Sequence, residues 1–463
     1  MDMTTMKNME QAPGSGSGPK GRILAAGRTV TNDTRVSRLN NNDLVIGPSG
    51  AGKTRGYVKP NLLQCEESVI VTDTKGNLAR EIGPALAARG YRVACVDFTD
   101  VAGWGSSPIR GVPGAAMLGY NPLDFIRTAP DGSFSEQDVV AIASAVSPIE
   151  DHRDPFWDSA GAMYLSAFIA YVMQCLPDEE RTFASVQRMV SVMGEDSIAV
   201  MMDEMCEIDP RGLVARRWRS IKASRTAEKM DASIRGILES KLAPMSFGGA
   251  TAMFTRAERI DFTRLATGRW AVFVNVSDTD RSMDRMINLF YTQALQQLCR
   301  YADTACDDNR LPVPVRLYLD DFATNCRIPD FDKVIAVIRS RGISVSVILQ
   351  SLTQLDGMYG EAVAASIVDN CDHWLYLGGQ DVQTARRIGL RAGLPLDEVL
   401  RMPLDRLYLF ERGRGPELAR PYDLTDHPLY RKTPEGRRAV AAAAQAVEAA
   451  ERILAGCDEA GKC

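Results

Sequence analysis

DLVIGPSGAGKT, residues 43–54, joins an apolar run to a glycine-rich loop that ends in Lys53 and Thr54. Its spacing fits G-x-x-x-x-G-K-[ST], in which Gly47 and Gly52 let the backbone curl its N–H groups round phosphates. The helix expected next directs the positive end of its dipole at the same anion. The stretch therefore predicts a strand, a phosphate-binding loop and a helix in direct succession.

The loop predicts a nucleotide site, with ATP and Mg²⁺ as the ligands. Lys53 is expected to reach the β- and γ-phosphates, and the Thr54 hydroxyl is expected to ligate Mg²⁺. The predicted nucleotide-binding residues are Gly47, Pro48, Ser49, Gly50, Ala51, Gly52, Lys53, Thr54 and Arg55. The alternative is a glycine-rich turn that binds no ligand.

A pair of carboxylates follows a second apolar run, VRLYLDDF, residues 315–322. Asp320 at the end of this strand would hold Mg²⁺ through water beside the phosphate loop. Asp321 is in position to polarise the attacking water. Alternatively, the two aspartates cap a turn at the end of the strand.

A polar amide and two arginines complete the candidate site. VSVILQ ends a further apolar strand on Gln350, whose amide is expected to contact the γ-phosphate or its water, or else to satisfy backbone groups. Arg339 and Arg341 lie at a helix end between the two strands, where an arginine can protrude into a neighbouring subunit and neutralise charge as the bond breaks. Cations are also favoured at a helix C-terminus for electrostatic reasons alone.

The order of apolar and helical stretches predicts an α/β fold. Seven short apolar runs read as buried parallel strands: DLVIG, SVIVTD, RVACVDF, WAVFVNVS, VRLYLDDF, SVSVILQ and HWLYLGG. Helical periodicity between them indicates a doubly wound domain. The alternation stops over residues 135–250, where an all-α domain is predicted as an insertion. The predicted organisation is a disordered segment over 1–30, one α/β domain over 31–134 and 251–432, and an Ala-rich helix or tail over 433–463.

Composition excludes several classes of protein. The net charge of −5 gives no global attraction to nucleic acid, so DNA contact requires a local basic surface. Ten cysteines without a CxxC pair fit a reducing cytoplasm. The N-terminus lacks the apolar segment of a signal peptide, and the uncharged run over residues 160–177 is interpreted as a buried helix. The chain is expected to be cytoplasmic, or peripheral at the inner face of the cell membrane, without a transmembrane segment.

A basic stretch lies inside the helical insertion. RGLVARRWRSIKASRTAEK, residues 211–229, carries seven basic residues and one acidic residue. On one face of a helix it would contact DNA phosphates, with an affinity that falls steeply with salt. Trp218 would then stack on an unpaired base. A solvated helix face with Trp218 packed in the core fits the same pattern equally well.

Several stretches together resemble a known family, the TraG-type coupling ATPases of type IV secretion. They begin with NNNDLVIGPSGAGKTRGYVKPNLLQ and SVIVTDTKGNL, and continue in order through GYRVACVDF, YNPLDFI, DPFW, LYLDDFA, IRSRGISVSVILQSLTQL and IVDNCDHWLYLGGQDVQTA. These matches span roughly residues 30–430, and the version found in mobile elements of Gram-positive bacteria looks nearest. Residues 59–61 and 350–352 are more diagnostic of this branch than the phosphate loop itself.

The resemblance implies a RecA-like nucleotide-binding domain with an inserted all-α domain, assembled as a homo-hexameric ring with ATP between subunits. Such proteins recruit a relaxase bound to single-stranded DNA and feed it to a conjugative type IV secretion channel. By the family spacing, Arg339 rather than Arg341 is the arginine that acts in trans. Asp73 and Lys75 correspond to a second family motif that would line the subunit boundary near the nucleotide.

Three departures from the family pattern affect these expectations. The family usually begins with transmembrane helices, whereas a short polar stretch precedes the resembling core here, so a separate subunit is expected to supply a membrane anchor. Asp321 replaces the usual Glu and is one methylene shorter, which would place the base about 1 Å further from the water and slow hydrolysis. Thr74 and Asn77 also replace the usual residues of the second motif.

Three functions compete on this sequence. The first is a motor that couples ATP hydrolysis to delivery or translocation of single-stranded DNA. The second is a nucleotide-gated docking receptor with little hydrolysis, which the Asp321 replacement favours. A ring motor for double-stranded DNA shares the chemistry but lacks support from YNPLD and DPFW.

Overall fold

The computed structural model of the chain describes residues 21–99, 109–322 and 327–460. The predicted disordered residues 1–20 lie outside this part, as does Ala323 of the LYLDDFA stretch. The described strands are β1 Arg22–Ala25, β2 Arg28–Val30, β3 Asp43–Ile46, β4 Ser68–Asp73, β5 Arg92–Asp97, β6 Ala116–Met117, β7 Trp270–Asn275, β8 Val315–Leu319, β9 Ile343–Leu349, β10 His373–Tyr376, β11 Leu407–Glu411 and β12 Glu417–Ala419.

A ten-stranded sheet forms the centre of the described part, in the order β12-β11-β10-β3-β9-β8-β4-β7-β5-β6. All seven apolar runs are strands of this sheet, and their mutual pairings are parallel. Each is buried along almost its whole length, since helices cover both faces of the sheet. Only β11 and β12 pair antiparallel, at one edge. The predicted α/β class is confirmed.

Helices of the described part connect and cover the strands. They are α1 Thr34–Ser37, α2 Lys59–Gln64, α3 Leu78–Ala87, α4 Glu136–Val146, α5 Phe156–Cys175, α6 Phe183–Ser191, α7 Asp196–Ile208, α8 Leu213–Arg225, α9 Glu228–Leu242, α10 Gly248–Thr255, α11 Thr263–Thr267, α12 Asp284–Ala305, α13 Phe331–Val337, α14 Leu352–Tyr359, α15 Glu361–Asp369, α16 Val382–Ala392, α17 Leu396–Leu400 and α18 Pro434–Ala460. A π-helical turn, Thr54–Val58, precedes α2.

The helical region α4–α10 carries no strand among its described residues and is inserted between β6 and β7. Its apolar side chains share one continuous core with one face of the sheet, from Ile46 of β3 through Val139 of α4 to Phe168 of α5. The uncharged run over residues 160–177 lies mostly in α5, where Leu165, Phe168 and Ile169 are fully buried, as predicted. None of the described helices is both long and apolar enough to cross a bilayer.

The prediction of disorder is wrong for residues 21–30, where β1 and β2 form a hairpin. The side-chain amide of Asn61 donates to the Ile23 carbonyl and accepts from the Ile23 N–H, both at 2.8 Å. Arg22 reaches further in and pairs with the buried Asp43 at 2.5 Å. The hairpin is therefore ordered by its tertiary contacts with Asn61 of α2 and with Asp43 of β3. The composition of residues 21–30 does not reveal these contacts.

Candidate functional site

The phosphate loop follows β3 at the carboxyl edge of the sheet and leads into the π-helical turn and α2. Ser49 to Arg55 line a cavity of about 470 Å³ together with Asp320, Asp321 and Gln350. Hereafter this is called the phosphate-loop cavity. Strands β3, β8 and β9 are parallel neighbours, so the residues that follow them meet at one edge. The structure thus brings the predicted residues Ser49 to Arg55 together with Asp320, Asp321 and Gln350, whereas Gly47 and Pro48 do not line the cavity.

Glycines in the loop serve two different needs. Gly50 and Gly52 have φ values of +80° and +86°, which L side chains rarely adopt. At Gly47 the need is space, because an added Cβ would lie 3.0 Å from Leu377 Cβ and 3.1 Å from Ala51 Cβ. The backbone path therefore requires glycine at three positions.

Lys53 lies inside the loop that it would use to bind phosphate. Its ammonium donates to the carbonyl oxygens of Gly47 at 2.6 Å and Pro48 at 3.1 Å. Burial lowers the pKa of Lys53, while the charges of Asp321 and Asp320 oppose that shift. An anion in the cavity would reinforce the charged form, because it adds negative charge beside a partly desolvated ammonium.

Thr54 and Asp320 form the candidate metal site. The Thr54 hydroxyl donates to Asp320 Oδ2 at 2.9 Å. Burial, together with the charge of Asp321, raises the pKa of Asp320 to about 6, while Thr54 and Lys53 pull it down. A hydroxyl and a carboxylate are hard oxygen donors of the kind that Mg²⁺ prefers, and a dication would relieve the burial of the carboxylate charge. These residues fit Mg²⁺.

Asp321 is held in the left-handed region, with φ of +49°. Aspartate is among the few residue types that visit this region readily, since its short polar side chain can bond locally. Gln350 donates from Nε2 to Asp321 Oδ1 at 3.3 Å, and both side chains line the phosphate-loop cavity. The geometry places a carboxylate and an amide side by side beyond the loop.

The opposite wall of the cavity comes from the end of β4 and the start of α3. Asp73 accepts from the backbone N–H groups of Lys75, Asn77 and Leu78, so it caps the turn into α3. Burial nevertheless raises its pKa. Lys59 pairs with Glu81 at 2.7 Å across the same wall. Neither Lys59 nor Glu81 was among the predicted site residues, although the position of Lys59 just after the loop is a signal for the lysine.

Arg55 lines the cavity, but its guanidinium is directed to the C-terminal region. Its Nη1 donates to Glu435 Oε1 at 2.6 Å. Glu435, which is 380 residues away in the sequence, was not among the predicted site residues. Because the pair crosses the chain at such a separation, only the tertiary structure reveals it.

The candidate trans-acting arginine lies at the other end of the sheet. Arg339 precedes β9, whereas Gln350 follows it, and seven residues of strand span about 23 Å. Arg339 lines a separate cavity of about 340 Å³ with Arg310, and donates to the Thr34 carbonyl at 3.3 Å. Arg341 is instead paired with both carboxylate oxygens of Asp303, at 2.7 and 2.8 Å. The structure does not bring Arg339 to the phosphate loop of its own chain.

Of the two alternatives for Trp218, packing in the core is confirmed, and stacking on an unpaired base is wrong. Its ring is fully buried in the core, and its indole N–H donates to Asp203 at 2.7 Å. Among the basic residues of the same stretch, Arg216 pairs with Glu136 and Lys222 with Asp203. Contact of the remaining basic residues with DNA stays a prediction.

The parallel sheet, the phosphate loop after β3 and the carboxylates after β8 define a RecA-like P-loop protein of the nucleotide-binding type. A family model described as "Type IV secretory system Conjugative DNA transfer" matches residues 7–394. The chain belongs to this family.

Similar proteins agree with that assignment. Protein VirD4 of Agrobacterium fabrum strain C58 is 24% identical over 359 residues, covering 76% of this chain and 49% of that protein. Protein VirD4 of Rhizobium rhizogenes shows the same identity and coverage. The chain therefore spans about half the length of the curated relatives it matches.

Solved structures of the bacterial conjugative coupling protein TrwB have the same fold. The unbound form of TrwBdeltaN70 aligns with a TM-score of 0.61 at 16% identity, covering 87% of this chain and 88% of that one. TrwB in complex with ADP and Mg²⁺ aligns with a TM-score of 0.60 at 16% identity, covering 88% and 90%. A further TrwB structure holds the non-hydrolysable ATP analogue ADPNP, and aligns with a TM-score of 0.60 at 15% identity over 87% and 89%.

Proposed function

We propose that this chain is a cytoplasmic ATPase that couples a relaxase–single-stranded DNA substrate to a conjugative type IV secretion channel. The observation that carries the proposal is the phosphate-loop cavity, which joins Lys53, Thr54, Asp320, Asp321 and Gln350 at one edge of the sheet. Family membership supports the conjugative context, and the nucleotide complexes of TrwB support ATP and Mg²⁺ as ligands.

Each side chain has a role that its position supports. The loop N–H groups and Lys53 bind the phosphates, and Lys53 must leave the Gly47 and Pro48 carbonyls to do so. Thr54 and Asp320 would hold Mg²⁺, which supplies positive charge to the phosphate oxygens when bound. Asp321 accepts a proton from water or orients it, and the Gln350 amide fixes the position of that carboxylate.

Arg339 acts in trans within a homo-hexameric ring in this proposal. It lies about one strand length from its own loop and lines a separate cavity, so any role at a phosphate loop would have to be at that of another copy. An arginine that enters a neighbour's site stabilises the charge that develops on the transferred phosphoryl group. Arg341 is a matched alternative with the same charge, but Asp303 already neutralises it.

A mixing experiment tests the trans role. Arg339→Ala and Lys53→Ala chains are each expected to lack ATPase activity. Their mixture should recover part of it, because some mixed interfaces combine an intact loop with an intact arginine. Arg341→Ala should retain most activity alone. Absence of recovery, in mixtures shown to co-assemble, would exclude Arg339 as a trans residue.

The motor function itself is tested by steady-state ATPase activity with and without single-stranded DNA across salt concentrations. Turnover that rises with DNA, and that vanishes in Lys53→Ala and Asp321→Asn, supports the motor. Binding of the relaxase and of channel components, with a separate subunit as membrane anchor, completes the proposed assembly. Pull-down with the cognate relaxase checks that part.

The second candidate is a nucleotide-gated docking receptor with little hydrolysis. The short Asp321 side chain, fixed at a φ of +49°, favours it, because a Glu would reach further towards the water. Tight ATP binding without DNA-stimulated turnover, under conditions where the protein assembles, would make this the leading function.

A further inference from the structure

Arg55 links the phosphate-loop cavity to the C-terminal helix. It directly follows Thr54, lines the cavity, and donates from Nη1 to Glu435 Oε1 at 2.6 Å. Glu435 lies in the first turn of α18, and it also accepts from the Tyr430 hydroxyl at 3.3 Å. The carboxylate is therefore fixed between a residue of the loop and a residue of its own segment.

The start of α18 is itself held in place. The Thr433 hydroxyl accepts from the Gly436 N–H at 3.0 Å, as an N-cap does. An added Cβ at Gly436 would lie 2.1 Å from the Tyr430 carbonyl oxygen, so the turn that brings Glu435 to Arg55 requires glycine there. Because the backbone is fixed on both sides, Glu435 occupies a defined position beside Arg55, which lines the cavity.

The preceding C-terminal segment packs on the turn that carries Arg55. An added Cβ at Gly56 would lie 3.3 Å from the Tyr422 carbonyl oxygen, so the two backbones are in close approach. Helix α18 also packs against α3, and the first turn of α3 lines the same cavity through Leu78 and Glu81. The C-terminal region thus packs against two elements that contribute residues to the phosphate-loop cavity, the turn after the loop and α3.

The charges on this wall are arranged around Arg55. Lys59 is paired with Glu81, so its charge is already matched within the wall. Although burial alone would raise the pKa of Glu435, the hydrogen bond and charge of Arg55 hold it below its usual value, and Arg55 in turn has its pKa raised. The contact uses Nη1 of a guanidinium that has five N–H donors, which leaves donors for a ligand in the cavity.

We propose that Glu435 is a positioning residue, which holds the Arg55 guanidinium at the rim of the cavity for a bound nucleotide and thereby couples α18 to nucleotide occupancy. The proposal rests on nucleotide binding at the phosphate loop. A free arginine side chain loses considerable rotamer freedom when a ligand fixes it, and a preformed ion pair removes part of that cost. By linkage, a nucleotide that binds better when the pair is intact also stabilises the pair and the start of α18.

The first test is the affinity for ADP with Mg²⁺, measured by calorimetry on the full chain. Glu435→Ala should weaken binding about two- to fivefold, the range expected of a partly exposed ion pair. Glu435→Gln keeps the acceptor oxygen, so its affinity should lie between those of the unmodified chain and Glu435→Ala. Arg55→Ala should weaken binding at least as much, and the double variant no further than Arg55→Ala alone. Glu448→Ala, about 20 Å further along the same helix, is the matched control and should bind like the unmodified chain.

The second test is hydrogen exchange at the first turn of α18. Nucleotide should slow exchange at residues 435–439 in the unmodified chain, and this effect should disappear in Arg55→Ala. A purely structural Glu435 would alter exchange equally with and without nucleotide. Unchanged or tighter binding by Glu435→Ala, or additive losses in the double variant, would overturn the proposal. Lys53→Ala tests the nucleotide site itself and should abolish binding. If nucleotide still binds to Lys53→Ala, the proposed phosphate-loop site is wrong, whatever the effect of Glu435→Ala.

Discussion

Buried carboxylates have opposite surroundings at the two ends of the strands, here called the amino edge and the carboxyl edge of the central sheet. Asp43 begins β3 at the amino edge, and Asp320 follows β8 at the carboxyl edge; both side chains are almost completely buried. Asp43 is surrounded by partners on several elements: Arg22, Arg316, His373 and the Tyr57 hydroxyl. Asp320 has the Thr54 hydroxyl and the more distant charge of Lys53, and it lies beside the like charge of Asp321.

The electrostatic result differs accordingly. Burial alone would raise the pKa of Asp43, yet Arg22, His373 and Arg316 together hold it well below its usual range. At Asp320 burial and the neighbouring carboxylate dominate, and the pKa rises to about 6. The amino edge is therefore electrostatically complete within the chain, whereas the carboxyl edge is left with uncompensated negative charge. A bound cation would compensate this charge, and Lys53 with the loop N–H groups would then accept a phosphate beside it.

The largest expected effect is at the carboxyl edge and concerns turnover. Asp321→Asn should lower ATP turnover by about 10²- to 10⁴-fold, because the carboxylate that accepts a proton is lost. Asparagine also tolerates the left-handed backbone at this position, so the fold and ADP affinity should be retained. Single-turnover hydrolysis beside ADP titration measures both. Retention of full turnover would exclude Asp321 as the base.

The next effect is at the amino edge and concerns stability. Asp43→Asn should lower the free energy of unfolding by about 3–5 kcal/mol, because it leaves Arg22 buried without its counter-charge and removes one of the two carboxylates that pair with the buried Arg316. Denaturant unfolding of the ligand-free protein measures the change. Glu435→Ala, which removes a partly exposed pair, serves as a control and should change stability by less than about 1 kcal/mol. A loss at Asp43 no larger than that control would contradict the comparison.

The sequence predicts the carboxyl edge much better than the amino edge. The residues of the phosphate loop and Asp320, Asp321 and Gln350 each directly follow a strand that hydrophobic pattern reveals, and parallel strands bring their ends together. Asp43 pairs with Arg22, and Arg316 pairs with Glu67, through contacts between distant segments of the chain. A charged residue at the start of a strand carries no local signal of burial. For the same reason the pattern could not show that residues 21–30 form a hairpin.

Trp218 and Glu435 illustrate the limit further. A tryptophan in a basic helical stretch fits a DNA surface or a core equally well. Burial of the Trp218 ring decides between them, and its indole N–H bonds to Asp203 of another helix. Glu435 lies in an Ala-rich helix whose composition gives no indication of a partner. The sequence identifies site residues that directly follow predicted strands. It does not identify contacts between residues that only the packing of distant segments brings together.

The next expected effect is a pH dependence of nucleotide affinity that arises from Asp320. Mg²⁺ requires the ionised carboxylate, and the pKa of about 6 means that protons compete with the metal below that pH. The affinity for ADP with Mg²⁺ should therefore fall about tenfold from pH 7 to pH 5, for one proton bound per site. Calorimetry across this range measures it. Binding of ADP without Mg²⁺ is the control and should lack this component, and an equal pH dependence with and without metal would rule out Asp320 as its source.

The smallest effect concerns the stability of the ligand-free site, and it has the opposite sign to that at Asp43. The pKa of Asp320 is about 6 in the folded chain against an ordinary value of 3.8, so the folded state binds the proton more tightly. The free energy of unfolding should then decrease as the pH rises from about 4 to about 6, as the buried carboxylate ionises. Asp320→Asn removes that charge and should raise the free energy of unfolding at pH 7 by about 1 kcal/mol. The increase is small because the neutral amide also loses the attraction between the carboxylate and Lys53. Denaturant unfolding at pH 4 and pH 7 measures both. If Asp320→Asn instead destabilised the protein at pH 7 as much as Asp43→Asn does, the charge of Asp320 would already be compensated within the chain, without a ligand.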